Sequence, residues 1–384
     1  MTNILHLAQD LIRLPSITPY DGGCLEYIEV YLKPLGFRCH RFDVQGTCNL
    51  YAKLDRGGKN YCFAGHTDVV PVIDESRWAY HPFRAEIHDG ILYGRGAVDM
   101  KGAIAAYLAA LPALFKSCPN DSFSLLLTSD EEGEATYGTQ IVIEWLKEKK
   151  ERVDVCLVGE PTSVHFVGDT LKTGRRGSLN GIITIRGLAG HVAYPHLARN
   201  PIPSMLTFLQ AIQEPLDKGI GRFGPSHLEI TTIDVGNQTT NIIPDMITAR
   251  FNARFSPLHT GSSLREMLEK KVKQLSHPYE LQIKVSGEAF EGCSDSMGEL
   301  YAQRISNVIG RCVALSVSGG TSDARFIKDL CPVMEMGLKH DQAHKINEHV
   351  KTSDLALLQK IYETVFIPSD TALGLVHGDG LRNE

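Results

Sequence analysis

The sequence predicts an α/β protein whose sheet is interrupted by a second, α+β unit. Three observations carry this. Short, mostly apolar runs at 60–65, 122–128 and 153–158 alternate with helical patterns, as buried parallel strands do. From about 178 the texture changes to alternating, β-branched runs in the order β-α-β-β-α-β, the ferredoxin-like arrangement. After Ala289 the first pattern resumes. A chain of 384 residues also exceeds one ordinary core.

Taken in order, residues 3–14 carry His6, Asp10 and Arg13 at intervals among apolar residues, an amphipathic helix rather than a secretory leader. A second helix is expected at 24–35, then strands at 38–43, 48–54 and 60–65. Residues 84–94 read as a hairpin around Asp89-Gly90, a strong turn pair. Gly94-Arg95-Gly96-Ala97-Val98-Asp99 opens an Ala-rich helix over 100–115. Strand 122–128, helix 138–149 and strand 153–158 complete a βαβ-type unit. The second unit, 177–288, holds strand 178–186, helix 203–214, strands 228–235 and 246–255, helix 262–275 and strand 279–286. A helix at 295–309, a strand at 312–317 and a closing helix at 353–365 follow. The domains expected are therefore 1–176 and 289–384 as two segments of one, with 177–288 inserted. The tail 367–384 lacks periodicity and is expected to be poorly ordered.

Apolar residues make up 43% and charged residues 22%, as in a soluble globular protein. The net charge of −6, with no basic run, argues against a nucleic-acid partner. The longest apolar stretch, Ala103 to Phe115, is 13 residues and contains Pro112; it is too short to span a membrane and fits a buried helix. Nine scattered cysteines without a CxxC pair argue against a disulfide framework and for a reducing cytoplasm.

The chemistry concentrates where the three apolar runs end. One runs into His66-Thr67-Asp68, another into Asp130-Glu131-Glu132-Gly133, the third into Gly159-Glu160-Pro161. Ligands of open α/β sheets bind outside the carboxyl ends of the strands, so a hydrolytic metal site at one sheet edge is the leading reading. Asp68 is placed to accept the second ring N–H of a ligating His66. Each feature has a plainer alternative: a surface loop for His66, helix capping for Asp99, a solvated acidic loop for Asp130 to Glu134. Adjacent Glu131 and Glu132 make chemical sense together, one as a metal ligand and the other as a base. His344 lies before the last helix, with His340 and His349 competing for the same role. Two His and three carboxylates suffice for two metal ions sharing a bridging carboxylate. Zinc suits such ligands, and cobalt or manganese could replace it. The inserted unit adds His191 in a glycine-rich turn. It also adds the pair Arg175-Arg176, able to bind carboxylates or to form a solvated hinge, and the loops Thr239-Thr240-Asn241 and Ser318 to Asp323.

Gly65-His66-Thr67-Asp68-Val69-Val70-Pro71, Gly94 to Gly102 and Thr128-Ser129-Asp130-Glu131-Glu132-Gly133 resemble the signatures of the dinuclear-zinc aminoacylase, deacetylase and carboxypeptidase family. The similarity runs from the first helix to about Phe366. Gly174-Arg175-Arg176-Gly177-Ser178, Gly190 to Pro195 and Ser318 to Phe326 are more narrowly similar to members that remove a succinyl group from a diamino dicarboxylic acid. The resemblance implies a mixed-sheet metallopeptidase-type catalytic domain with an inserted ferredoxin-like α+β dimerisation (lid) domain. It implies two Zn2+ per subunit, with Co2+ possible in one site. Asp99 would bridge the metals, His66 and Glu160 complete one site, and Glu132 and His344 the other. His344 is preferred because the family's final ligand precedes Lys-x-Asn-Glu, which is Lys345 to Glu348 here. Glu131 would be the general base and Asp68 the residue orienting His66. His191 would reach the active site of the partner in a homodimer. Arg175, Arg176, Ser178, Tyr194, Asn241, Arg254, Gly320 and Thr321 fall at substrate contacts. His340 stands where Asn is common, which puts one of those contacts in question. The expected reaction is hydrolysis of a succinyl amide in cytoplasmic lysine and diaminopimelate biosynthesis. The alternative is an acetylornithine deacetylase or related aminoacylase, with the same metal ligands; the arginine pair and the Gly-Gly-Thr-Ser-Asp loop favour the succinylated substrate. A non-catalytic binding protein is disfavoured because all five ligands and the base are present, and a purely structural protein would not need Glu131 beside Glu132.

Overall fold

The computed structural model describes residues 3–367. Two compact units are present. The first comprises residues 3–173, 292–316 and 322–367; the second comprises 174–291 and 317–321.

The first unit is built on an eight-stranded mixed sheet. Its spatial order is Arg38–Val44, Thr47–Leu54, Ser122–Thr128, Asn60–His66, Val155–Val158, Val333–Glu335, Thr170–Lys172 and Ala314–Ser316. The first two strands form a hairpin whose two linking residues, Gln45 and Gly46, both stand at positive φ, as the tightest hairpins require. Asn60–His66 pairs in parallel with Ser122–Thr128 on one side and Val155–Val158 on the other. All three run in one direction, so their carboxyl ends share an edge. Every residue of these three strands is buried, which explains why they read as mostly apolar runs rather than as alternation of apolar and charged residues.

Helices cover the sheet. Lys101–Ser117 buries nearly its whole circumference and packs against Ile4–Arg13 and Thr352–Thr364. Phe63 from the central strand stacks on Tyr107 at 4.2 Å between ring centres and meets the edge of Tyr362 at 5.6 Å. Lys101 is fully buried. Its Nζ donates to the carbonyls of Leu11 and Leu14 at 2.9 and 2.7 Å, a second hydrogen bond for each where the first helix ends.

The second unit is an antiparallel four-stranded sheet in the order His227–Asp234, Met246–Phe255, Gly177–Arg186, Tyr279–Gly287. Helices Ile202–Ile212 and Gly261–Val272 close its core, which includes Leu179, Ile183, Phe208, Phe251, Phe255, Leu264 and Leu268. Gly181 lies opposite Phe251; a Cβ there would fall 2.1 Å from the ring, so only glycine lets the aromatic lie across the strand.

The boundaries fall at 173/174 and 291/292 because Gly174–Arg175 pairs with Phe290–Glu291, joining the insertion's two ends. Val317–Thr321 groups with the same unit. The expected strand at 312–317 is limited to Ala314–Ser316, and Thr170–Lys172 and Val333–Glu335 are strands beyond those expected. The tail expectation lies, from residue 368 onward, outside the described residues. Among the described residues no helix is long and apolar enough to cross a membrane.

Candidate metal centre

The shared strand edge gathers six side chains. His66 ends its strand and is buried. Asp99 precedes the helix Lys101–Ser117, Glu131 and Glu132 follow Ser122–Thr128, and Glu160 follows Val155–Val158. His344 follows the turn His340–Gln342 with φ at +62°. The Nε2 of His66 lies 3.1 Å from Asp99 Oδ1 and 3.6 Å from Glu160 Oε1. The Nε2 of His344 lies 2.7 Å from Glu132 Oε1 and 3.3 Å from Asp99 Oδ2. Two three-residue clusters result, His66–Asp99–Glu160 and Asp99–Glu132–His344, and in each the ligand atoms lie within 4.8 Å of one another. His66, Glu131 and Glu132 form a third such grouping. One imidazole and two carboxylates per cluster, with the oxygens of Asp99 divided between them, fit a pair of divalent cations such as zinc, cobalt or manganese.

The electrostatics describe a site built for positive charge. Burial drives the Glu131 carboxyl well above its usual range, and the neighbouring charge of Glu160 adds to this. His344 is pushed up to about 10 by its hydrogen bonds to Asp99 and Glu132. Burial pulls His66 down, but hydrogen bonding to Asp99 and the surrounding carboxylates carry it well above its ordinary value. Burial pulls Asp99 up, yet hydrogen bonds from His344 and His66 hold it below the usual carboxylate range. A cation binding at either cluster competes with the imidazole proton there.

The acidic run is divided by the fold. Asp130 turns inward and accepts the N–H of Tyr137 at 3.3 Å, Glu131 and Glu132 are partly buried at the cluster, and Glu134 is exposed. Asp68 differs from expectation. His66 Nδ1 lies 2.8 Å from the backbone carbonyl of Asp68, while the nearest side-chain oxygen is 3.6 Å away. The carboxylate accepts instead the N–H groups of Glu131 at 3.3 Å and Glu132 at 3.1 Å. Asp68 thus orients His66 through its main chain and the two glutamates through its side chain. Burial pushes the Asp68 carboxyl up to about 6. Of the competing histidines, His349 contacts the Asn347 carbonyl at 2.7 Å in a strand beside Tyr93. Neither His349 nor His340 belongs to a cluster.

In the second unit, Arg175 Nη1 donates to the Gly320 carbonyl at 2.7 Å, and Thr321 follows in the same segment. Ser178 stands opposite Arg254 on paired strands. Asn252 connects them, donating to Ser178 Oγ at 3.4 Å and accepting from Arg254 Nε at 3.1 Å. The adjacent Arg176 directs Nη2 to the carbonyls of Pro225 and Arg254, at 2.6 and 2.8 Å. His191, Tyr194 and Asn241 form another group: the Asn241 carbonyl accepts the N–H of Val192 at 3.1 Å, and the rings of His191 and Tyr194 lie 5.8 Å apart.

The sequence profile of peptidase family M20/M25/M40 matches residues 62–367, a span that includes all six clustered residues. The chain belongs to this family. Membership makes it a metal-dependent hydrolase. It is 48% identical over 365 residues to a succinyl-diaminopimelate desuccinylase of Ehrlichia canis, covering 94% of this chain and 96% of the relative. It is 49% identical over 367 residues to one of Rhodospirillum centenum, covering 94% and 95%. An M20 family metallo-carboxypeptidase of Sulfolobus solfataricus shares the fold, with a TM-score of 0.74 at 18% identity, over 95% of this chain and 98% of that one.

Two residues of this M20-family chain that sequence reasoning did not single out lie beside the clusters: Arg95 and Glu348, both buried. Their signal was present in the motifs Gly94-Arg95-Gly96 and Lys345 to Glu348, but only as neighbours of presumed ligands.

Proposed function

We propose that the protein hydrolyses N-succinyl-L,L-2,6-diaminopimelate to succinate and L,L-2,6-diaminopimelate, a step of lysine and diaminopimelate biosynthesis in the cytoplasm. The near-full-length identity of 48–49% to relatives bearing that activity's name carries this reading. The alignment of His66, Asp99, Glu131, Glu132, Glu160 and His344 at one sheet edge supports it.

In this reading His66 and Glu160 would hold one Zn2+, Glu132 and His344 would hold the other, and Asp99 would serve both, with Co2+ able to replace one ion. The ions, when bound, acidify a water and polarise the amide carbonyl. Glu131 takes the proton of the attacking water and delivers it to the amine nitrogen as the C–N bond breaks. The water's oxygen ends in the new carboxyl of succinate, one of its protons goes to the amine of diaminopimelate through Glu131, and the other leaves from that carboxyl. Burial holds the Glu131 carboxyl above its usual range, which is the direction a general base needs. His191 stabilises the oxyanion from the partner subunit of a homodimer. Arg175, Ser178, Tyr194, Asn241, Arg254, Gly320 and Thr321 hold the substrate's polar groups. Arg176, whose guanidinium serves two backbone carbonyls, supports the strand carrying Arg254.

The test is hydrolysis of N-succinyl-L,L-diaminopimelate beside N-acetylornithine by the zinc-loaded protein. A kcat/KM for the succinyl compound at least about 100-fold higher is expected, because a site that pairs an extra carboxylate strongly rejects substrates lacking it. Preference for acetylornithine would overturn the substrate assignment.

A further inference from the structure

Beneath the clustered side chains, one buried carboxylate ties together the two segments that carry Asp99 and His344. Glu348 is fully buried. Its Oε1 accepts the N–H of Val98 at 2.9 Å and of Asp99 at 3.2 Å. Its Oε2 accepts Arg95 Nη1 at 2.8 Å, and its backbone carbonyl accepts the N–H of Gly94 at 2.9 Å. Arg95 Nη1 also donates to the carbonyl of Lys345, the residue after His344, at 3.2 Å. The guanidinium of Arg95 lies 5.1 Å from the ring centre of Trp78, which limits its freedom. Five hydrogen bonds thus join residues 94–99 to residues 345–348. On the second segment His344 and Asn347 stand at φ of +62° and +59°, a left-handed conformation that is uncommon outside glycine, although His and Asn adopt it more readily than most residues.

Resting on the two-metal reading above, we infer that Glu348 and Arg95 are a positioning pair for the metal centre. They hold the Asp99 peptide against the His344 loop, so that two ligands remote in sequence present one bridging and one terminal donor to the same ion. An apolar pair of similar volume would fill the space without desolvating two charges. It would leave the N–H groups of Val98 and Asp99 unpaired, and those groups set the direction from which the Asp99 side chain departs. Outer partners that orient ligands in this way are felt in metal affinity.

The test uses the full-length protein and the variants Glu348→Gln and Arg95→Lys. The amide keeps one acceptor for the two N–H groups but turns a donor toward Arg95. The lysine keeps the charge but loses the planar, rigid guanidinium whose Nη1 donates to both Glu348 and Lys345. Calorimetric titration with Co2+ and the visible spectrum of the Co2+ protein read the metal centre, and thermal unfolding in excess chelator reads the metal-free fold separately. Both variants are expected to stay folded in chelator but to unfold at a lower temperature than wild type, because a buried charge loses part of its pairing. They should bind the ion of the Asp99–Glu132–His344 cluster roughly 10- to 100-fold more weakly and show shifted absorption bands. Unchanged affinity and spectrum in the variants would overturn the inference while leaving the two-metal reading intact. A wild-type protein that takes up no more than one ion would overturn both. If Glu348→Gln does not fold, Arg95→Lys decides the question alone.

Discussion

The Nε2 of His66 lies 3.1 Å from Oδ1 of Asp99, while the other oxygen of the same carboxylate faces His344 at 3.3 Å. One carboxylate between two imidazoles is the geometric heart of the site. It exists because three parallel strands end at one edge and because the helix Lys101–Ser117 begins just after Asp99.

Asp99→Ala removes the only donor common to both clusters. The variant is expected to bind fewer than two ions per chain and to lose about 1,000-fold or more in kcat/KM, equivalent to roughly 4 kcal/mol of transition-state stabilisation. Metal analysis after gel filtration, paired with a rate measurement, checks both.

Glu131→Gln keeps the shape of the side chain and removes its ability to take a proton. Metal content should be unchanged and kcat should fall by about 100- to 10,000-fold. Near-normal turnover would remove Glu131 from its role as base.

Asp68→Ala leaves the N–H groups of Glu131 and Glu132 without their side-chain acceptor. A destabilisation of about 1–3 kcal/mol is expected, together with a roughly 10- to 100-fold loss in metal affinity or rate. Asp68→Asn, which retains one acceptor oxygen, should fall between wild type and Asp68→Ala. The contact between His66 Nδ1 and the Asp68 carbonyl should survive both changes, so His66 should still bind its ion. Urea unfolding and calorimetric metal titration measure the two effects.

Much of the site was legible before the structure, for a physical reason. Parallel strands are buried on both faces, so each reads as an apolar run, and whatever polar residue follows is delivered to the sheet edge. His66, Glu131, Glu132 and Glu160 could be placed that way. The inserted unit was legible because its antiparallel strands alternate, as Gly177–Arg186 does. Other features could not be read locally. Thr170–Lys172 and Val333–Glu335 are three residues each, too short for any periodicity. The turning of the Asp68 carboxylate toward Glu131 and Glu132 depends on how two loops face each other. Glu348 looks like an exposed loop acid until it is paired with Arg95, 253 residues away in sequence.

Asp217, in the second unit, gives a pH prediction away from the metal ligands. Against the upward pull of burial, hydrogen bonds from Ser226, Gly219 and Ser256 hold its carboxyl down to about 2. A carboxyl lowered by folding stabilises fully above its ordinary value of about 3.9. That stabilisation is lost as pH falls through about 2. Asp217→Asn should therefore be less stable than wild type at neutral pH, and the gap should narrow as the solution is acidified. Urea unfolding of both proteins along a pH series follows it; a gap independent of pH would contradict the assignment.

The most direct measurement is anomalous diffraction from crystals of the zinc-loaded protein, recorded at the zinc edge. Two peaks per chain are predicted, one among His66, Asp99 and Glu160 and the other among Asp99, Glu132 and His344, with Asp99 contacting both. A single peak, or two peaks that do not share Asp99, would contradict the account of a paired centre.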